Sequence, residues 1–163
     1  MFKHICTVTT LRLPLQKAEV LPFIWDIQNI EYCEVKADKV QVVKETEKSG
    51  TYSVKGHFMR FIPWTRQFRY ELHDRGFHSQ EATKPPSSLN IQGGFFVEAT
   101  GEQECEIFHY EQYTLLPQFF ISKPVIFLYL KWSQKREMHD LKKLILARTG
   151  RGLNPAKSIE SLI

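Results

Sequence analysis

Thr51-Tyr52-Ser53-Val54-Lys55-Gly56-His57-Phe58 is followed closely by Arg66-Gln67-Phe68-Arg69-Tyr70-Glu71-Leu72-His73. In the first run Tyr52, Val54 and Phe58 alternate with Ser53, Lys55 and His57. In the second, Phe68, Tyr70 and Leu72 alternate with Gln67, Arg69, Glu71 and His73. A period of two belongs to a strand with one dry and one wet face, so these runs predict half-buried strands over 51–61 and 64–74. Residues 35–47, 77–82, 89–100 and 104–115 alternate in the same way. The links between them are short: Lys48-Ser49-Gly50, Ile62-Pro63, Asp74-Arg75-Gly76, residues 84–88 and Gly101. Connections of that length join hairpins, so the chain predicts an antiparallel meander.

Working outward, residues 3–13 are rich in Thr, Ile and Val and end at Pro14, which reads as a further strand. Over 15–33 the spacing of Leu15, Ala18, Leu21 or Pro22, Ile24 or Trp25, Ile27 and Ile30 fits two short helices, the second starting near Asp26. Beyond Pro124 the period changes. Phe127, Leu130, Gln134, Met138, Leu141 and Ile145 fall on one helical stripe, Lys131, Lys135, Arg136, Lys142 and Lys143 fall on other faces, and Gly150 ends the run. The reading is an α+β fold: a curved antiparallel sheet of about seven strands, two short helices after the first strand, and one long C-terminal helix. A twisted sheet with a helix across its concave apolar face leaves space beneath the helix, so a cavity is expected.

The 163 residues, 42% apolar and 25% charged, fit one globular domain over 1–149, with 150–163 expected to be a flexible tail. Pro117, Gln118, Ser122, Lys123 and Pro124 interrupt the apolar run over 115–130, so no membrane-spanning helix is expected. The N-terminal residues alternate rather than forming a secretory apolar segment, and a cytoplasmic location is expected. Cys6, Cys33 and Cys105 form no C-x-x-C pair and read as reduced, mostly buried thiols. Nine Lys or Arg face two acids over 123–157, yet they fit the wet side of one helix and lack any RNA-binding motif, so nucleic acid is not expected as a partner.

The order of elements resembles the START-like, polyketide cyclase/dehydratase superfamily with its helix-grip fold. The resemblance covers residues 1 to about 148. It is carried by Gly93-Gly94-Phe95-Phe96-Val97-Glu98-Ala99-Thr100-Gly101-Glu102, similar to the family's strand, turn and strand, and by Glu137-Met138-His139-Asp140-Leu141-Lys142-Lys143-Leu144, similar to the end of its long helix. Residues 25–32 look like its second small helix. Where the family often has Trp-x-Pro, this chain has Ile30-Glu31-Tyr32-Cys33-Glu34. The resemblance implies a pocket for a lipid, quinone, polyketide or other mostly apolar molecule between the sheet and the long helix. Alternation and helical spacing line that pocket with Tyr52, Val54, Phe58, Phe68, Tyr70, Leu72, Phe95, Val97, Tyr110, Phe127, Leu130, Gln134, Met138 and Leu141.

There is no G-x-S-x-G, no H-E-x-x-H and no nucleotide-binding glycine pattern, and His4, His57, His73, His78, His109 and His139 show no metal-ligand spacing. No metal and no cofactor is expected. The resemblance implies either a binding or carrier domain or a cyclase/dehydratase-type enzyme. The catalytic candidates are Arg66, which its register places beside Phe68, and the pair His109 and Glu111. Two aromatic clusters stand apart: Phe58-Met59-Arg60-Phe61-Ile62-Pro63-Trp64, and Leu116-Pro117-Gln118-Phe119-Phe120-Ile121 running on to Phe127. They read as the pocket's lip or as contacts for a membrane surface or a protein partner.

Overall fold

The first strand and the last come together although the whole meander separates them in sequence. β1 (His4–Leu13) lies along β7 (Glu104–Thr114) in one unbroken antiparallel register from His4↔Thr114 to Leu13↔Cys105. The computed structural model describes residues 4–84, 90–115, 117 and 121–151. Between these two strands the chain forms α1 (Lys17–Trp25), a 3-10 turn (Ile27–Asn29), α2 (Ile30–Cys33), β2 (Ala37–Lys44), β3 (Ser49–Phe58), β4 (Ile62–His73), β5 (Gly76–Glu81) and β6 (Gln92–Gly101). All seven strands join one antiparallel sheet in the order β1-β7-β6-β5-β4-β3-β2. The meander is therefore continuous from β2 to β7, with β1 added beside its last strand.

The two small helices differ from their sequence expectation in one respect. Glu19 Oε2 accepts from the Gln16 backbone N–H at 2.9 Å and fixes the start of α1. The Asp26 carboxylate accepts from the Gln28 N–H, which begins a 3-10 turn before the single helical turn of α2. Of the three thiols, Cys33 and Cys105 are buried, while Cys6 is exposed because its alternate position on β1 faces water. The expected tail residues 152–163, and Leu116, Gln118, Phe119 and Phe120, lie outside the described residues.

The long helix α3 (Lys123–Arg148) has Pro124 in its first turn and ends before Gly150, which takes φ +69°. It packs on β1 and α2 and buries Ile126, Leu130, Ser133, Gln134, Glu137, Met138, Leu141 and Ile145. The stripe keeps the expected Leu130, Gln134, Met138, Leu141 and Ile145, adds Ser133 and Glu137, and differs at its N-terminal end, where Ile126 turns inward and Phe127 outward. Val125, Ile126, Phe127 and Leu128 are all apolar, so periodicity alone does not choose among them there. Burial of a side chain such as Leu130, 0% exposed, stabilises this packing by about 1.5–3 kcal/mol.

Candidate functional site

Strand alternation delivers three polar side chains to one point of the inner face. On β7 the odd-numbered residues turn inward: Cys105 and Ile107, then His109, Glu111 and Tyr113. Glu137 reaches the same point from α3, and Lys36 arrives from the turn between α2 and β2. Lys36 is held there by its own backbone, since its carbonyl accepts from the Trp64 indole N–H at 2.9 Å and from the His57 N–H at 3.2 Å. Gly56 makes that possible, because a Cβ there would stand 1.9 Å from the Lys36 carbonyl oxygen.

Lys36 Nζ lies 2.8 Å from Glu34 Oε1, 3.0 Å from Glu111 Oε1 and 3.1 Å from Glu137 Oε1. The Lys36 and Glu137 side chains are each 1% exposed. Tyr113 donates to Glu111 Oε1 at 3.1 Å, and His109 Nδ1 stands 3.5 Å from Glu137 Oε2 with its ring stacked on Phe95 at 4.0 Å. Among the described residues, Glu111 Oε2, Glu137 Oε2 and His109 Nδ1 are buried without a hydrogen-bond partner in the protein. Orphan polar atoms of this kind are costly in a folded interior and mark places where a ligand group can be received.

Burial pulls Lys36 towards the neutral form, but Glu111, Glu137 and Glu34 together outweigh it and hold its pKa well above the ordinary lysine value. Burial, reinforced by Glu34, pushes the Glu137 carboxyl well above the usual carboxylate range despite the opposing pull of Lys36. The cluster therefore favours the charged form of Lys36 and works against ionisation of Glu137. Burial drives His109 down to about 3, so its imidazole is neutral at physiological pH. His109, Glu111 and Glu137 also offer one nitrogen and two oxygens within 4.8 Å of one another, a possible metal-binding group. The Lys36 ammonium already contacts both of those carboxyl groups, so a divalent cation at this point would have to displace it.

The cluster forms one end of a cavity of about 50 Å³ between the sheet and the helices. Its apolar walls come from Ile30, Val54, Trp64, Phe68, Phe77, Ile91 and Phe95, and Tyr52 and Ser79 join the polar part. Tyr52 donates to Ser79 Oγ at 3.1 Å, and Ser79 donates to the Gly93 carbonyl.

Of the residues singled out from the sequence, Tyr52, Val54, Phe68, Phe95, His109 and Glu111 come together around this cavity. The others lie elsewhere. Phe58 packs between Trp64 and Tyr129, while Val97, Leu130 and Met138 are close-packed core. Tyr70 and Leu72 face a separate cleft beside Trp25, and Leu141 borders a small one beside Phe23. Gln134 is bonded to β1, accepting from Thr9 Oγ1 at 3.1 Å. Phe127 turns outward, and Tyr110 lies on the sheet's other face, hydrogen-bonded to His78, because β7 takes the register that turns His109 inward. Arg66 pairs with Glu81 at 3.4 Å and does not reach the cavity. Sequence reading missed Glu34, Lys36 and Glu137 as site residues. Their available signal was location: Glu34 ends the segment that replaces the family's Trp-x-Pro, and Lys36 follows two residues later.

No protein-family model and no curated protein matches the sequence. The shape does find matches. A protein of Thermus thermophilus superposes with TM-score 0.75 at 12% identity, over 89% of this chain and 99% of that one. The Zhui aromatase/cyclase of a Streptomyces species gives 0.68 at 10% identity, over 94% and 98%. This is the helix-grip fold. A START superfamily protein of Mycobacterium smegmatis shares it, with TM-score 0.67 at 6% identity over 88% and 98% of the two chains. At such identities the likeness is one of fold.

Proposed function

We propose that this helix-grip chain is a binding or carrier domain for a compact, mostly apolar molecule that carries a hydroxyl or amine group. The carrying observation is the cavity's two-part lining, with aromatic and aliphatic walls ending on Lys36, Glu111, Glu137 and His109. Glu111 Oε2 is an acceptor without a partner, and a donor on the ligand satisfies it. Helix-grip relatives in shape that are named as an aromatase/cyclase and as a START superfamily protein support a small-molecule role. A space of about 50 Å³ accommodates only a few water-sized groups, whereas pockets for drug-sized ligands measure roughly 300–1,000 Å³. A larger ligand therefore needs the walls to move apart.

The test is a fluorescence titration with N-phenyl-1-naphthylamine, an apolar amine with one N–H, alongside native mass spectrometry of the purified chain. Wild type is expected to enhance the dye's emission, and Val54→Phe, which fills the cavity, to abolish the enhancement while keeping its circular dichroism. An equal response from both proteins, with no retained small molecule, refutes the reading.

A cyclase/dehydratase-type activity is the second reading, favoured by one observation: a lysine held towards its charged form, a carboxyl group shifted towards its neutral form and a neutral imidazole share one cavity. In such a reaction Glu111 takes a proton from the carbon beside a ketone, and the positive charge of Lys36 stabilises the oxygen of the enolate as it forms. Deuterium exchange into an apolar aryl ketone checks this by NMR. Exchange no faster than in buffer sets the activity aside and leaves the binding reading intact.

A further inference from the structure

The turn between β3 and β4 meets the N-terminal half of α3. Arg60 lies over the Trp132 ring at 5.3 Å, and Phe58 meets Tyr129 edge-on at 5.0 Å. Met59 and Arg60 both adopt left-handed backbone conformations, φ 53° and 69°, which side-chain-bearing residues adopt only at a cost. The turn thus holds a strained shape against the helix while Phe61 stands 73% exposed. Val125, Leu128 and Trp132 follow one another along the helix at spacings that share a face, exposed by 56%, 67% and 42%.

We propose that this face docks on a membrane surface that contains anionic lipid. Large apolar side chains gathered in this way are uncommon on a surface that meets only water. Their charge surroundings favour lipid over a protein partner. Residues 57–66 contain no acid, and neither do residues 115–136, whereas Arg60, Lys131 and Lys135 lie among them. An apolar face whose own segments carry bases and no acids is complementary to a layer of anionic headgroups over hydrocarbon. The face is also close to the interior, since Phe58 contacts Trp64, a wall of the cavity. The proposal does not depend on what the cavity holds.

Vesicle co-sedimentation of the full chain tests it, using phosphatidylcholine alone and an equimolar mixture with phosphatidylglycerol. Wild type is expected to sediment with the mixed vesicles, less so at high salt, and weakly with phosphatidylcholine. Leu128→Glu and Phe61→Ser are each expected to weaken binding about tenfold, the effect of keeping one large apolar side chain out of hydrocarbon. Both positions are exposed, so unchanged melting curves establish that the variants fold. Wild type that ignores the mixed vesicles, or variants that sediment as wild type does, overturns the proposal. So does a lipid-independent dimer that Leu128→Glu dissolves, because the face would then serve a second copy of the chain.

Discussion

Replacing Lys36 with methionine removes the ammonium from among Glu34, Glu111 and Glu137 while nearly keeping the length of the side chain. The Nζ contacts with Glu34 and Glu111 near 3 Å each correspond to a gross attraction of about 5 kcal/mol at an effective dielectric constant of about 20. Removal also spares the cost of burying the ammonium, so the net loss is far smaller than that sum. Breaking a buried ion pair on one side costs about 3–5 kcal/mol, and Lys36 at 1% side-chain exposure belongs in that class. For a chain of this length that loss lowers the melting temperature by roughly 6–20 °C. The pH dependence separates this account from a simple packing defect. Without the ammonium, burial and mutual repulsion raise the folded-state pKa values of the carboxyl groups, so the stability they contribute when protonated is lost as pH rises above their unfolded values. Urea titrations of wild type and Lys36→Met at pH 5 and pH 8 measure it. The deficit should be clearly larger at pH 8, and adding Glu137→Gln to the variant should recover part of it. A deficit below about 1 kcal/mol, or one equal at the two pH values, refutes the cluster's electrostatic account.

His109 should make the fold sensitive to acid. Its pKa falls from the ordinary 6.5 to about 3 on folding, so the unfolded chain gains a proton that the folded chain refuses, and stability drops as pH falls from 6.5 towards 3. Glu137 acts in the opposite sense, its contribution being lost as pH rises above the ordinary carboxylate range. His109→Gln should therefore lie closer to wild type at pH 4.5 than at pH 7 in urea titrations, and a constant difference counts against a buried neutral imidazole. Gly56→Ala should cost at least about 1–3 kcal/mol, because its Cβ meets the Lys36 carbonyl, and the cost should be smaller in the Lys36→Met background; additive losses argue that Gly56 does not position Lys36. Leu130→Ala, on the buried face of α3, should cost about 2–5 kcal/mol in thermal unfolding. A loss within about 0.5 kcal/mol would mean that α3 is not gripped there.

The alternation of Tyr52 to Phe58 and of Phe68 to Leu72, the short links between strands and the period of the last helix determined the six-stranded meander and its long helix. These are local signals, and neighbouring residues carry them. The same signals were weak where both faces are apolar. On β7 either register offered enough large side chains, and at the start of α3 four consecutive apolar residues left the buried one undecided. Packing settled those cases by turning His109, Glu111 and Ile126 inward. The polar end of the cavity was decided by tertiary structure alone. Lys36 lies 75 residues from Glu111 and 101 from Glu137, so no short window of sequence contains the group. An exposed lysine and a buried one read alike as letters. What distinguishes Lys36 is that a bent sheet, a glycine on β3 and one turn of α3 bring carboxyl groups to it where water is excluded, and only the folded chain sets those distances.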